Sequence, residues 1–245
     1  MTQSEQVTDN VARTVVVLGG SGRVGEGIVA EWARTGAQVV VPSRTEERAA
    51  EVRSRAGDAD NVHTIVGEYT GFDTTAEMAD RIEREFGTIT DVVASIGGWW
   101  QAGALWQVDA EVWQRYFVDL TTAHFANIRT WITRLPEEGT YQLVLGGSAY
   151  TPVPGASIIS MEQAALLMMH RVLMAEAGDQ RRVFAFTLGP VATRGRGQVD
   201  PTWVTNDDVG RVTIAHALSA TGSAHVDLHS RDDARARIAE LGAAS

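Results

Sequence analysis

The stretch TVVVLGGSGRVGEGIVAEWARTG, Thr14 to Gly36, decides how the rest of the chain is read. It opens on a continuous apolar run rich in β-branched residues, the pattern of a strand buried on both faces. From Gly25 it becomes an amphipathic helical segment. Between the two, Gly19, Gly22 and Gly25 form a G-x-x-G-x-x-G loop. Such a loop needs glycine where the backbone turns tightly, where it approaches a pyrophosphate, and where helix packs on strand. The helix that follows offers free N–H groups and a positive dipole end to phosphates. The same glycines would also suit a connector with no ligand, and the loop's place at the first strand–helix turn favours the phosphate reading.

The same rhythm continues outward. QVVV (38–41), VHTIV (62–66), DVVAS (91–95), YQLVL (141–145), RVFAFTL (182–188) and AHVDLH (224–229) are each followed by a helical segment. Among these are the long segment 109–135 and the helix around 156–177. Apolar strands alternating with helices predict an α/β fold, a Rossmann-type doubly wound sheet of about seven parallel strands with helices on both faces. No Pro/Gly/Ser-rich linker divides the 245 residues, so residues 13–245 read as a single dinucleotide-binding domain behind a polar, disordered tail at 1–12.

Composition narrows the function classes. The net charge of −10 opposes binding to nucleic-acid phosphates. With no cysteine there are no disulfides and no thiolate metal sites. The His, Asp and Glu residues show no metal-ligand spacing, so no metal is expected. No apolar run approaches a membrane span and no cationic leader opens the chain, which predicts a cytoplasmic protein without a membrane partner. All 21 basic residues are arginine, so no mechanism on this polypeptide can use a lysine.

The second strand ends in VVVPSRTEER, with Ser43 and Arg44 where dinucleotide folds often carry an acid for the ribose 2′-hydroxyl. A guanidinium instead suits a 2′-phosphate through forked, charge-assisted hydrogen bonds. Arg23 in the glycine loop offers a second cation. The expected cofactor is NADP (NADPH).

Together these features resemble the short-chain dehydrogenase/reductase family from residue 13 to about 229. The resemblance places Gly19, Ser21, Gly22, Arg23, Val24 and Gly25 under the phosphates. In VGEYTG it makes Glu68 the acidic adenine contact, with Tyr69 beside it. ASIGG (94–98) resembles the segment beneath the cofactor and keeps Gly97, while LGPVAT (188–193) resembles the nicotinamide-carboxamide segment, carrying over Gly189, Val191 and Thr193. The family's catalytic set is a serine, a tyrosine and a lysine, with an asparagine on the preceding long helix. By register, Ile159 takes the tyrosine position, Gln163 the lysine position and Asp119 the asparagine position, and the serine falls near Gly146 or Gly147. Gln163 retains the ability to hydrogen-bond a ribose hydroxyl but carries no charge.

Three replacements come forward as catalytic candidates. Asp119 would act as a general acid if a partly buried cleft raised its pKa. Ser148 and Tyr150 follow the fifth strand at its C-terminal end, where open α/β sheets bind ligands. Trp99 and Trp100, directly after the fourth strand, form a candidate apolar substrate wall. His124 and His170 read as packing or interface residues. Only 12 residues separate Thr193 from Asn206, a short lid. By resemblance, the two long apolar helices pair across a two-fold axis in a homodimer or homotetramer. Three functions stay open: an NADP(H)-dependent oxidoreductase on an apolar carbonyl- or alcohol-type substrate with a non-standard proton donor; a catalytically degenerate NADP-binding sensor or partner module; and a non-redox lyase or isomerase on the same scaffold.

Overall fold

In the computed structural model, which describes residues 13–243, the seven apolar runs become the seven strands of one parallel sheet. They are β1 (Thr14–Leu18), β2 (Gln38–Ser43), β3 (Val62–Val66), β4 (Asp91–Ala94), β5 (Thr140–Gly146), β6 (Arg182–Leu188) and, after two short strands, β9 (Ala224–Leu228). The order across the sheet is β3-β2-β1-β4-β5-β6-β9. The chain therefore winds outward from β1 to β3, then returns to the other side of β1 for β4. That reversal between β1 and β4 is where an open α/β sheet leaves a crevice for ligands.

Alternation along the strands divides the core. Val15, Val17, Val39 and Val41 face α1 (Gly25–Arg34), α7 (Asn206–Ser219) and α8 (Arg231–Ala243), with Val52 of α2 (Glu46–Arg55) in the same layer. Val16, Leu18 and Val40 face α3 (Phe72–Phe86), α5 (Asp119–Trp131) and α6 (Ser157–Ala177). A one-residue slip of any strand would exchange its two apolar sets, so the two layers fix the register. At the lower end of the sheet, the fully buried Asp91 accepts hydrogen bonds from Arg13 at 2.9 Å and from the Thr140 hydroxyl at 2.6 Å.

Three features depart from the sequence expectations. The long segment is not one regular helix: a short α4 (Ala110–Trp113) runs through a π-helical turn, Gln114–Val118, into α5. The lid contains a two-stranded parallel ribbon, β7 (Val191–Ala192) with β8 (Val204–Thr205). In addition, α6 is long and apolar enough to cross a membrane by length and composition, contrary to the reading of no such run. Here its buried face, with Ile158, Leu166 and Leu167, is inside the protein, and Glu162 and His170 are buried on the same helix. The tail read as disordered, 1–12, lies outside the described residues, as do 244 and 245.

Candidate functional site

The crevice at the β1/β4 reversal is a cavity of about 720 Å³. Its floor is the glycine loop. Gly19 adopts φ +75°, and a Cβ there would lie 2.4 Å from the Ser95 carbonyl oxygen. A Cβ on Gly25 would lie 2.3 Å from the Gly19 carbonyl oxygen, so the start of α1 can close on the loop only without a side chain. Gly19, Ser21 and Gly22 line the cavity; Gly25 is buried beneath it and serves packing. Val24, half-buried, packs against the core rather than lining the cavity.

The end of β2 supplies charge. Arg44 lines the cavity, and so does Arg48, which the sequence analysis did not single out. The Thr45 side chain caps α2 by accepting from the Arg48 backbone N–H, which sets Arg48 in the first helical turn. Neither guanidinium makes an ion pair among the described residues. Ser43 and Arg23 sit elsewhere. The Ser43 hydroxyl is buried without a partner, and the Arg23 guanidinium lies about 4.0 Å from the site of a Cβ on Gly195, in the lid. Arg48, not Arg23, thus joins Arg44 on this side of the cavity.

Opposite, the Glu68 carboxylate accepts from the backbone N–H groups of Tyr69 and Thr70 and from the Thr70 hydroxyl, all through Oε1. Glu68 lines the cavity, and its Oε2 accepts none of these hydrogen bonds. Tyr69 also borders the cavity; burial raises its phenol pKa, while Arg44 and a hydrogen bond with the Gly19 backbone oppose that rise.

β4 delivers Ser95, Ile96 and Gly97 to the cavity. The Ile96 carbonyl is held by His124 Nε2 at 3.0 Å, from α5 beneath it. His124 is wholly buried, and burial drives its pKa down to about 4, so it is a neutral clamp for this segment. Trp99 lines the cavity while remaining 60% exposed; Trp100 does not line it.

The catalytic candidates separate. Asp119 reaches the cavity, but it is exposed and its Oδ1 accepts from Gln114 Nε2 at 2.8 Å. The burial on which an acid role rested is absent. Ser148 lies half-buried in a short 3₁₀ turn outside the cavity lining. The Tyr150 hydroxyl hydrogen-bonds the ring of His225 at 2.9 Å, and His225 stands on β9, two strands beyond β5. Tyr150 is thereby drawn to the sheet edge rather than to the crevice.

Gln163 is committed at both ends. Its Oε1 accepts from the Gly146 N–H at 2.5 Å and its Nε2 donates to Glu162 at 2.7 Å. Ile159 is buried in the core. Gly189 turns close to His229, where a Cβ would be 2.6 Å from a carbonyl oxygen; Val191 is buried in β7, and Thr193 begins the lid. None of the three lines the cavity, nor does Gln163. The lid is tied back to the loop by Arg194, which donates to Glu26 of α1 at 2.7 Å. Among the described residues no group of three or more His, Cys, Asp or Glu could hold a metal.

The short chain dehydrogenase family model matches residues 13–202. The chain belongs to this family. It is an oxidoreductase lineage that uses NAD(H) or NADP(H), and the glycine cradle and the flanking cavity fit such a dinucleotide. Among curated relatives, an 11-beta-hydroxysteroid dehydrogenase-like protein of Arabidopsis thaliana is 28% identical over 204 residues, covering 76% of this chain and 61% of that protein. A 1-deoxy-11-beta-hydroxypentalenate dehydrogenase of Streptomyces exfoliatus is 28% identical over 242 residues, 92% of this chain and 86% of that protein. Among solved structures, a short chain dehydrogenase from Bacillus anthracis superposes with TM-score 0.76 at 19% identity, covering 89% of this chain and 94% of that one. A short chain oxidoreductase from Pseudomonas aeruginosa, described as containing an atypical catalytic center, superposes with TM-score 0.74 at 19% identity over 88% and 95%. At such identities these structures establish the fold of this family member.

Proposed function

We propose that this family member is an NADP(H)-dependent oxidoreductase acting on an apolar carbonyl- or alcohol-type substrate. The observation that carries the cofactor choice is the pair of unpaired guanidiniums, Arg44 and Arg48, at the end of β2 beside the glycine loop. A 2′-phosphate offers forked acceptors to both, whereas a bare 2′-hydroxyl leaves two cations without a counter-charge. When bound, the cofactor supplies or takes the hydride. The chain's own residues cradle its phosphates at Gly19 to Gly22 and receive the adenine amine at Glu68. Trp99 gives the substrate an apolar wall, and the names of the steroid- and pentalenate-type relatives agree with that choice. Fluorescence titration with NADPH and NADH tests the reading. Arg44→Ala and Arg48→Ala should each weaken NADPH binding by roughly tenfold, from about 1.4 kcal/mol or more per charge-assisted contact. NADH binding should barely change; equal weakening of both cofactors would reject the 2′-phosphate assignment.

A second reading has its own observation. Ile159 is buried, and Gln163 hydrogen-bonds Gly146 and Glu162 within the protein, which supports a reading of α6 without a proton relay. A protein that binds NADPH and turns over nothing would be a sensor or partner module. The non-redox alternative has less support, because the dinucleotide cradle is intact. The exposed Met161, Met168 and Val172 of α6 and Phe125 of α5 would be covered by a second copy of the chain in a homodimer or homotetramer, which light scattering would measure.

A further inference from the structure

The lid, residues 193–203, leaves the sheet as a loop whose base is the β7/β8 ribbon. From Arg194 to Gln198 it reads RGRGQ, and Gly195 adopts φ +69°. Glycines alternating with arginines bend easily and offer no apolar side chain to bury. Charge and hydrogen bonding hold this segment instead. At the far end of the lid, the Thr202 carbonyl accepts from the Arg231 N–H at 2.9 Å, and the Arg196 guanidinium lies 4.6 Å from the centre of the Trp203 ring. At the near end, Arg194 Nε donates to Glu26 Oε2 at 2.7 Å.

Glu26 stands in the first turn of α1, directly after Gly25. A carboxylate there already suits the positive end of the helix. It nevertheless draws a second guanidinium to the same oxygen: Arg55 of α2 approaches Oε2 at 3.6 Å. Arg55 in turn donates to the Ser21 carbonyl of the glycine loop at 3.4 Å. Lid, α1, α2 and glycine loop are thus joined through one carboxylate. Just beyond the lid, Asn206 donates to the Arg23 carbonyl at 3.3 Å and packs so closely on α1 that a Cβ on Gly27 would lie 2.4 Å from it. Packing fixes that contact. The Arg194–Glu26 contact is different in kind: the Arg194 side chain is 49% exposed against 14% for Glu26, so the pair can part without disturbing the core.

We propose that Glu26 and Arg194 form a latch that holds the lid against the first turn of α1, and that its opening gates access to the glycine loop. The gate rests on the dinucleotide reading above; the latch does not. A ligand whose phosphates settle at the start of α1 has to pass this turn. Electrostatic steering alone gives Arg194 the opposite effect, because a cation at the entrance to an anion site hastens arrival. A latch makes the same arginine slow arrival. The two accounts differ in sign.

The test uses the full chain and two variants, Glu26→Gln and Arg194→Gln, each of which removes one charge of the pair and keeps a polar side chain. Trypsin under native conditions cuts after Arg196 from the lifted lid. The initial rate of that cut, followed by mass spectrometry, should rise about threefold or more in both variants. Cutting at the parent's rate in either variant overturns the latch. Stopped-flow mixing with NADPH, read by tryptophan fluorescence, should show Arg194→Gln associating about twofold or more faster than the parent. Association unchanged or slowed overturns the gate, since steering then accounts for the arginine. If the parent binds no NADPH while both variants are cut faster, the latch stands and the dinucleotide reading falls together with the gate.

Discussion

Glu162→Gln isolates the effect of burying an acid on α6. The Glu162 side chain is wholly buried; Oε2 accepts from Gln163 and Oε1 has no partner. Burial pushes its pKa from 4.5 up to about 7, against the opposing pull of the Gln163 hydrogen bond. The folded carboxyl therefore keeps its proton over a window in which the unfolded one has lost it. Stability falls as pH rises between those two values and is level above them. The difference, 7 − 4.5, or about 2.5 units, corresponds to roughly 3 kcal/mol at about 1.4 kcal/mol per unit. Three buried histidines act in the opposite sense. His124, His170 and His216 are each driven down to about 4 from 6.5, chiefly by burial, so their neutral forms lose stability as pH falls through that range. Subtracting the variant's profile from the parent's cancels the histidines. Glutamine preserves an acceptor for Gln163 and adds an unpaired amide whose cost, about 1–3 kcal/mol, is the same at every pH. Urea unfolding between about pH 5 and pH 8 should show the variant gaining on the parent by most of that roughly 3 kcal/mol. A pH-independent difference would refute the reasoning, since it would mean that the carboxyl is as easily ionised folded as unfolded.

Two substitutions test the scaffold. Gly19→Ala combines a left-handed φ of +75° with a methyl 2.4 Å from the Ser95 oxygen, so the loop must shift; NADPH affinity should fall at least about tenfold in the same fluorescence titration. Asp91→Asn leaves Arg13 without its counter-charge beneath the sheet and should cost about 3 kcal/mol by urea unfolding, with NADPH affinity unchanged; a loss under about 1 kcal/mol would show that solvent already screens the pair.

The strands were legible because each is a short apolar run between turn residues. β1, β3 and β6 match their sequence runs at both ends, and the others differ by one or two residues. The glycine loop was legible for the same local reason: its residues answer to backbone sterics within a few positions. What depended on distant neighbours was not. Arg48 reads as one more charge in EERAAEV until β3 and α5 close the crevice around it. Tyr150 reads as a residue at the business end of β5, yet its partner, His225, is 75 residues away. Tyr116 lines the cleft from a turn one residue wider than that of an α-helix, and nothing in QRYFV announces that turn. The apolar content of α6 is a further case: hydropathy alone does not distinguish a helix packed on a sheet from one that spans lipid.

The paired commitments of Gln163 carry a lesson for anyone redesigning this cleft. Gly146, Gln163 and Glu162 form one chain of contacts from strand end to buried acid. Effects of substitution at these three sites will not sum, because each change alters what its neighbour can bond. A lysine introduced at 163 would meet a carboxyl that gives up its proton readily once a cation stands beside it. The ammonium would be spent on an internal ion pair while the Gly146 N–H lost its acceptor. Placing a cation on this helix therefore requires changing the acid and the amide together.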